Sequence, residues 1–591
     1  MKKILVTSAL PYVNNVPHLG NLMPILSGDV YARFRKLFGD NCIFICGTDD
    51  HGTTAEIKAI EEGITPKELT DKYFKIHKDI YDWFNFQFEG LGRTSSKKNK
   101  EISEDIFKKL YNNGFIIEKE MTQMWDDKAK RFLSDRFIQG ICPYCKFEKA
   151  RGDQCDHCGK LLDAIDLIDP KSSITNSTPI QKQSKHLFID LGKIEKSDEL
   201  KPNLTEWIKQ NKHKWSANAI STTNAWIKEG LRPRCITRDL KWGIPVPADE
   251  LNLPEEYKNK VFYSWFDAPF GYISITAESR DDWKEWWKNP DETSLVQFMG
   301  KDNIPFHCIL FPAFCIGAKD NYTLMNEISV NEYINYEGGK FSKSRGVGVF
   351  GDDAKESGIS ADIYRYYLMA MRPEKEDTDF EWNDFQVKVN KELIGNFGNL
   401  VNRTLTFIKR FSDGKVYDSN ELNVYPEDNC FEDIKTMIMD IKLKATLKKI
   451  LTISSEGNVY FQESQPWVKV KENKDEAQKD LAKLARRVKD LAILLYPYMP
   501  EISENIMAQM NLDNTWLSWD KLNKPLPEGH LIGEPKTLFE KMEDDFIEKM
   551  QNKYGSKNLE FPLNMKIGSI VEVEDHPDAD KLLVLKINLG N

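Results

Sequence analysis

Over its first hundred residues the chain switches repeatedly between two hydrophobic periods. Ile4 to Ala9 is a short, partly β-branched apolar run, Leu19 to Phe38 carries the three-to-four spacing of a helix, and Cys42-Ile43-Phe44-Ile45-Cys46 is a second run of strand length. Residues 66–88 predict one long amphipathic helix with Leu69, Tyr73, Ile76 and Ile80 on its apolar face. This alternation predicts an α/β fold, a doubly wound parallel sheet whose ligands sit at the carboxyl ends of its strands. From about residue 116 to 234 it gives way to mixed strand patterns around a cysteine cluster, and it returns with Val296-Gln297-Phe298-Met299 and from Ile309 onward. Beyond Asp384 the pattern is helical almost throughout. Val387, Leu393, Phe397 and Leu400 open a series that runs to about residue 545 and predicts a helical bundle. Met565 to Val573 and Leu582 to Leu589 read as two strands around His576-Pro577-Asp578-Ala579-Asp580.

These changes of period place the domain boundaries. Residues 1–115 and 235–325 are two halves of the sheet domain, 116–234 an insertion between them, and 326–385 a connecting segment. Residues 386–545 are the helical domain and 546–591 a linker with the terminal strand pair. A chain of 591 residues is too long for one core, and about three to five domains follow from length alone.

Composition narrows the class. With 40% hydrophobic and 29% charged residues the chain reads as a soluble globular protein. No apolar run approaches the ~20 residues of a bilayer span. Met1-Lys2-Lys3 leads directly into a strand without a secretory apolar segment, so a cytoplasmic location is expected. A formal net charge of −10 argues against a nonspecific nucleic-acid coat. The local basic runs Arg93 to Lys100 and Lys442 to Lys449 remain solvated faces or RNA contacts.

Ten cysteines in a chain of this size do not form a disulfide framework. Cys142-x-x-Cys145 and Cys155-x-x-Cys158, nine residues apart, supply four thiolates for a tetrahedral Zn²⁺. Four protein ligands close the coordination sphere, which predicts a structural metal, about one per chain. Cys42, Cys46, Cys235, Cys308, Cys315 and Cys430 read as buried small hydrophobes.

Two short segments more than 300 residues apart carry the chemistry. Pro17-His18-Leu19-Gly20-Asn21 follows the first strand and opens the first helix, where free backbone N–H groups and the helix dipole favour a phosphate. Lys340-Phe341-Ser342-Lys343-Ser344 lies in a loop flanked by Gly338, Gly339 and Gly346, so that its lysines can close over the far side of a triphosphate. Together they resemble the HIGH and KMSKS segments of class I aminoacyl-tRNA synthetases. Ala9-Leu10-Pro11-Tyr12, Cys46 to Gly52, Phe262 to Tyr272 and Gly300 to His307 make the resemblance closest to the methionyl-tRNA synthetases, from residue 3 to about 470. Two departures stand out: Asn21 replaces the second histidine of HIGH, a donor that cannot become cationic, and Phe341 replaces the methionine of KMSKS.

The resemblance implies ATP-dependent activation of methionine and its transfer to tRNA(Met), including the initiator. His18, Asn21, Lys340 and Lys343 would stabilise the transition state, with Gly20, Ser342, Ser344 and Arg238 also contacting the nucleotide and Mg²⁺ carried on the ATP. Ala9, Leu10, Tyr12, Asp49, Trp265, Ala268, Pro269, Tyr272, His307 and Phe311 would hold methionine. Asp49, placed to receive the α-amino group, is on its own equally a turn or cap residue, and the aromatic positions on their own read better as core. The rings also suit the substrate, because thioether sulfur gains ~0.3–1.5 kcal/mol against aromatic edges. Asn399, Arg403 and Trp467 match anticodon-reading positions, where unpaired bases are read by stacking and edge hydrogen bonds. The terminal strand pair resembles the opening of a tRNA-binding OB-fold, which needs five strands. A truncated unit is therefore expected, with a homodimer expected only if that barrel is complete and a monomer otherwise.

Overall fold

The apolar runs become strands buried along their length. Lys3–Ser8 forms β1, Cys42–Thr48 forms β2 with every residue buried, and Gly90–Arg93 forms β3. After the insertion, Thr293–Gly300 forms β4 and Met325–Asn331 forms β5. The five pair in parallel in the order β5-β4-β1-β2-β3. The winding reverses between β1 and β4, so their following loops part in opposite directions and leave a crevice at the carboxyl edge. The first crossover is helix α1, Leu19–Leu37, which packs closely because Gly28 lacks a side chain: a Cβ there would lie 2.8 Å from the Phe44 ring. The amphipathic helix of the first hundred residues spans Pro66–Trp83, shorter than the pattern predicts.

The computed structural model describes residues 2–133, 137–152, 155, 157–158, 162, 164–343, 346–425, 429–555, 569–575 and 583–588. Within the insertion, Ile116–Asp126 and Ile180–Ile189 pair antiparallel along their length, with Arg131–Leu133 and Arg234–Cys235 at the edges. A smaller sheet of Ala150–Arg151, Ile138–Ile141 and Ile168–Ser172 carries the cysteine cluster.

Beyond the sheet domain, Trp382–Lys388, a wider-wound turn Val389–Gly398 and Asn399–Phe411 run almost end to end. Cys430–Met439, Leu443–Ser464, Pro466–Glu472, Lys474–Leu495 and Pro500–Gln509 complete a helical bundle. Two expectations change here. Val387 faces solvent at 57% exposure instead of joining the core. Long helices also stop at Gln509, where Asn511 turns left-handed (φ 51), and resume only at Asp544–Tyr554, with Pro525, Pro527, Gly529, Gly533 and Pro535 keeping the later part of the stretch non-helical.

The bundle shares one apolar core with the sheet domain, in which Phe34 of α1, Tyr364, Leu368, Phe385, Leu400 and Leu491 belong to the same cluster. Arg365, fully buried, crosses this junction. It donates to the carbonyls of Tyr498 (2.9 Å), Pro497 (2.7 Å) and Phe84 (3.0 Å) and to the Asp29 carboxylate of α1 (2.6 Å). Near the end of the chain, Ser569–Asp575 and Leu583–Asn588 form an antiparallel pair whose Ile570, Val571, Val573, Leu585 and Ile587 are all exposed. The start of the first predicted strand at Met565, and His576 to Asp580, lie outside the described residues.

Candidate active site

A crevice of about 660 Å³ opens at the carboxyl ends of β1, β2, β4 and β5 and at the start of α1. It brings together Ala9, Leu10, Tyr12, His18, Gly20, Asn21, Asp49, Trp265, Ala268, Pro269, Tyr272 and His307, residues scattered over 300 positions of sequence.

The loops after β1 and β2 are tied by backbone bonds. The Asp49 N–H donates to the Pro11 carbonyl (2.9 Å) and the Val13 N–H to the Asp49 carbonyl (3.2 Å), which sets Tyr12 beside Asp49. Tyr12 stands at the rim, 50% exposed, while the Asp49 carboxylate is buried. Asp49 accepts weakly from the His51 N–H (3.3 Å) and Thr94 hydroxyl (3.5 Å), and no cation pairs with it among the described ion pairs. Burial first, then the charges of Asp267 and Asp50, hold its pKa well above the usual carboxylate range. Asp267 itself lies 2.7 Å from the ring of His51, just behind. A buried, cation-free carboxylate at a cavity wall has the chemistry to receive an ammonium group.

The apolar end is ringed by aromatics. Trp265 meets Phe306 edge-on at 4.5 Å, and Tyr272 donates its hydroxyl to His307 Nε2 at 2.9 Å. His307 Nδ1–H in turn donates to the Asn303 carbonyl at 2.9 Å. Burial pushes the His307 pKa down to about 4, so the ring is neutral and its tautomer is fixed by these two partners. An uncharged end of this kind suits a long, unbranched, weakly polar side chain. Phe311 does not line the crevice; it sits one layer behind, against Tyr272 (6.3 Å) and Trp287 (6.2 Å).

At the phosphate side, His18 caps α1 and its backbone N–H donates to Asn21 Oδ1 at 3.1 Å. The His18 ring is stacked on Phe341 at 4.5 Å, with Phe350 edge-on at 6.0 Å, and burial pushes its pKa down to about 4. In this arrangement it is a neutral ring. The lysine loop is folded back on itself: Ser342 and Val347 exchange backbone bonds, and Lys343 Nζ lies 3.2 Å from Asp352 and 3.8 Å from Asp353. Neither Lys343 nor the exposed Lys340 lines the crevice. Ser344 lies outside the described residues. Arg238 also stays outside the crevice, stacked on Tyr263 at 4.0 Å, whose ring leans on Trp265 at 5.1 Å.

Away from the crevice, Cys142, Cys145, Cys155 and Cys158 converge with all their sulfurs within 4.8 Å of one another, enough to hold a metal ion. In the bundle, Arg403 lies over the Phe461 ring at 4.1 Å and Phe461 stacks on Trp467 at 6.0 Å, while Asn399 Nδ2 donates to Asn458 Oδ1 at 3.1 Å. Three helices thus build one layered stack. Phe461, its buried middle layer, carries no sequence signal beyond an apolar helix position, and Phe306 at the crevice, inside the Gly300 to His307 segment, does not stand out there as a site residue.

The strand order, the crevice at the reversal and the helix that opens beside it define a nucleotide-binding catalytic domain of the doubly wound type. A family model described as class I tRNA synthetases (M) matches residues 4–405, and one described as the anticodon binding domain of methionyl tRNA ligase matches residues 419–558. The probable cytoplasmic methionine–tRNA ligase of Dictyostelium discoideum is 48% identical over all of this chain and 80% of its own length. The methionine–tRNA ligase of Borrelia turicatae is 46% identical over all of this chain and 81% of its own length, and the human cytoplasmic enzyme 45% identical over 94% of this chain and 62% of its own. Methionyl-tRNA synthetase of Mycobacterium tuberculosis, solved with methionyl-adenylate, superposes with a TM-score of 0.74 at 21% identity, covering 91% of this chain and all of its own, a likeness of fold. The chain belongs to the methionyl-tRNA synthetases of class I. No helix among the described residues is long and apolar enough to cross a membrane.

Proposed function

We propose that the chain condenses L-methionine with ATP to methionyl-adenylate and pyrophosphate, then passes the methionyl group to the 3′ end of tRNA(Met). The observation that carries this reading is the crevice itself, which joins a cation-free buried carboxylate, an uncharged aromatic end and a helix N-terminus. Asp49 would hold the ammonium group and Trp265, Tyr272 and His307 the thioether. The methionine carboxylate oxygen attacks the α-phosphorus, the bond to the β-phosphate oxygen breaks, and pyrophosphate leaves with that electron pair. A 3′-terminal ribose hydroxyl then attacks the activated carbonyl and AMP departs. No side chain forms a covalent intermediate, so catalysis is positioning plus charge stabilisation. Mg²⁺ would arrive on the ATP. Methionine-dependent exchange of labelled pyrophosphate into ATP, run against all twenty amino acids, tests the reading; exchange driven best by another amino acid overturns it.

Zinc fits the four thiols. Tetrahedral Zn–S bonds of about 2.3 Å place sulfurs about 3.8 Å apart, and Cys142–Cys158 and Cys145–Cys155 stand at 3.9 and 3.6 Å. All four positions are protein ligands, so the ion would staple the small sheet of the insertion. Purified protein is expected to carry about one zinc per chain. Chelation should open residues 137–172 to protease, and Co²⁺ replacement should add thiolate absorption while barely changing the exchange rate.

The layered stack of Arg403, Phe461 and Trp467 offers an aromatic face and a guanidinium for unpaired anticodon bases. Losing one stacking platform costs about 1–3 kcal/mol. Trp467→Ala is therefore expected to lower aminoacylation efficiency about 10- to 100-fold while methionine activation without tRNA stays near normal. Equal losses in both half-reactions would assign Trp467 to packing alone.

A further inference from the structure

The loop that carries Asp49 and the segment that carries Trp265, Ala268 and Pro269 form two walls of the crevice, and they meet behind it at His51. The His51 backbone N–H donates to Asp49 Oδ1 (3.3 Å), and its ring nitrogen Nδ1 lies 2.7 Å from Asp267 Oδ2. The ring stands edge-on to Trp242 at 5.3 Å, and Trp242 donates its indole N–H to the Asp50 carbonyl at 2.6 Å. The two walls approach closely. Gly52 has φ 112, and a Cβ on it would stand 3.3 Å from the hydroxyl oxygen of Ser264, next to Trp265.

Three carboxylates gather at this seam and differ in what offsets them. Asp50 accepts from Arg93 (2.7 Å), Thr48 (2.7 Å) and Ser95, so its charge has a full cation. Asp49 pairs with no cation among the described residues. Asp267 is fully buried, has only the His51 imidazole against Oδ2, and leaves Oδ1 buried without a hydrogen-bond partner. The other titratable groups turned toward the seam are Cys46 from β2, Tyr272 from the aromatic wall and His77 from the helix Pro66–Trp83, and burial keeps all three neutral. Two buried carboxylates on either side of one residue resist being ionised together. Burial, opposed by His51, raises the Asp267 carboxyl; burial and then the Asp267 charge raise that of Asp49.

We propose that Asp267 is a positioning residue for methionine: through His51 it fixes the Asp49 loop against the aromatic wall, and its buried charge makes the empty site hold a proton that the arriving ammonium group displaces. The proposal rests on the reading of Asp49 as the site of that ammonium group. The proton passes from the carboxyl to solvent, and the ligand keeps all of its own.

The test is calorimetry of L-methionine binding to the full chain as a function of pH. Wild-type affinity should fall up to tenfold per pH unit below the raised Asp49 pKa, with proton release in the same range. Asp267→Asn keeps the shape and an acceptor for His51 but removes the charge. Its fall should begin about one pH unit lower, and its proton release should shrink. Above the wild-type onset it should bind methionine about tenfold more weakly, because the ammonium loses one buried charge, and the two curves should meet below it. Asp267→Ser should repeat this result, and Asp267→Glu should keep the wild-type onset. A loss of equal size at every pH with the onset unmoved, or no change at all, overturns the proposal. Desamino-methionine, which lacks the ammonium group, tests the underlying reading separately. Wild type should bind it without releasing a proton, and a release equal to that with methionine would overturn the role of Asp49 instead.

Discussion

Asp49→Asn raises the KM for methionine by a factor of about 30 to several thousand, the equivalent of the 2–5 kcal/mol lost when one partner of a buried charge pair is removed. The asparagine keeps the shape of the site, yet it faces the arriving ammonium group with a dipole where a full charge stood. Ligand-free protein should respond in the opposite sense. Burial, Asp267 and Asp50 raise the Asp49 pKa, so the folded state binds this proton more tightly than the unfolded chain does. Its contribution to stability is therefore lost as pH rises from the unfolded carboxylate value toward the folded one. Removing the carboxylate relieves that penalty, and the Tm of the empty variant at neutral pH should rise. Methionine binding to wild type should release protons at pH between the Asp49 pKa of the complex, lowered by the ammonium group, and the raised pKa of the empty site, and should weaken as pH falls through that window. Calorimetry in buffers of different ionisation enthalpy measures the release; affinity in the variant equal to wild type would remove Asp49 from amine recognition.

Lys343→Ala slows adenylate formation by about 10²-fold or more with little change in methionine affinity, because the lysine meets charge that develops only in the transition state. The structure adds a condition. Lys343 rests on Asp352 and Asp353, and Phe341 of the same loop covers the His18 ring. Bringing the lysine to the phosphates means leaving two carboxylates and unstacking two rings. The exchange rate of the variant with saturating methionine and ATP is the check, and an unchanged rate would take this loop out of the reaction.

The sheet, the insertion and the bundle were legible because buried parallel strands and amphipathic helices carry unmistakable periods, as Cys42–Thr48 and Pro66–Trp83 show. The crevice was legible as far as its residues follow strands directly: Ala9 to Tyr12 after β1, Asp49 after β2 and His307 beyond β4. What sequence could not supply was side-chain depth. Phe311 falls one helical turn beyond His307 and packs behind Tyr272 instead of beside the cavity. Phe306, inside the Gly300 to His307 segment, lines the cavity. The resting place of the lysine loop is set by a ring stack between His18 and Phe341, 323 positions apart, which no local pattern encodes. The prolines and glycines from Pro525 onward made the later part of the gap between the bundle's long helices readable, but the stop at Gln509 rests on the left-handed Asn511, which no breaker in the sequence announces.

Arg365 decides where this molecule can be cut. The boundary near residue 385 separates two patterns of sequence, but in space it is crossed by a guanidinium whose partners lie on both sides: Asp29 and Phe84 on one, Pro497 and Tyr498 on the other. A fragment ending there would keep the buried cation while losing two of its four acceptors, and would bare Tyr364, Leu368 and Phe34 to water. Losing two hydrogen bonds to a charged group, at about 1.5–3 kcal/mol each, together with that apolar cover, removes a large part of the margin by which a domain stays folded. The catalytic half is therefore no free-standing module, and its independence from the bundle ends at the level of the gene.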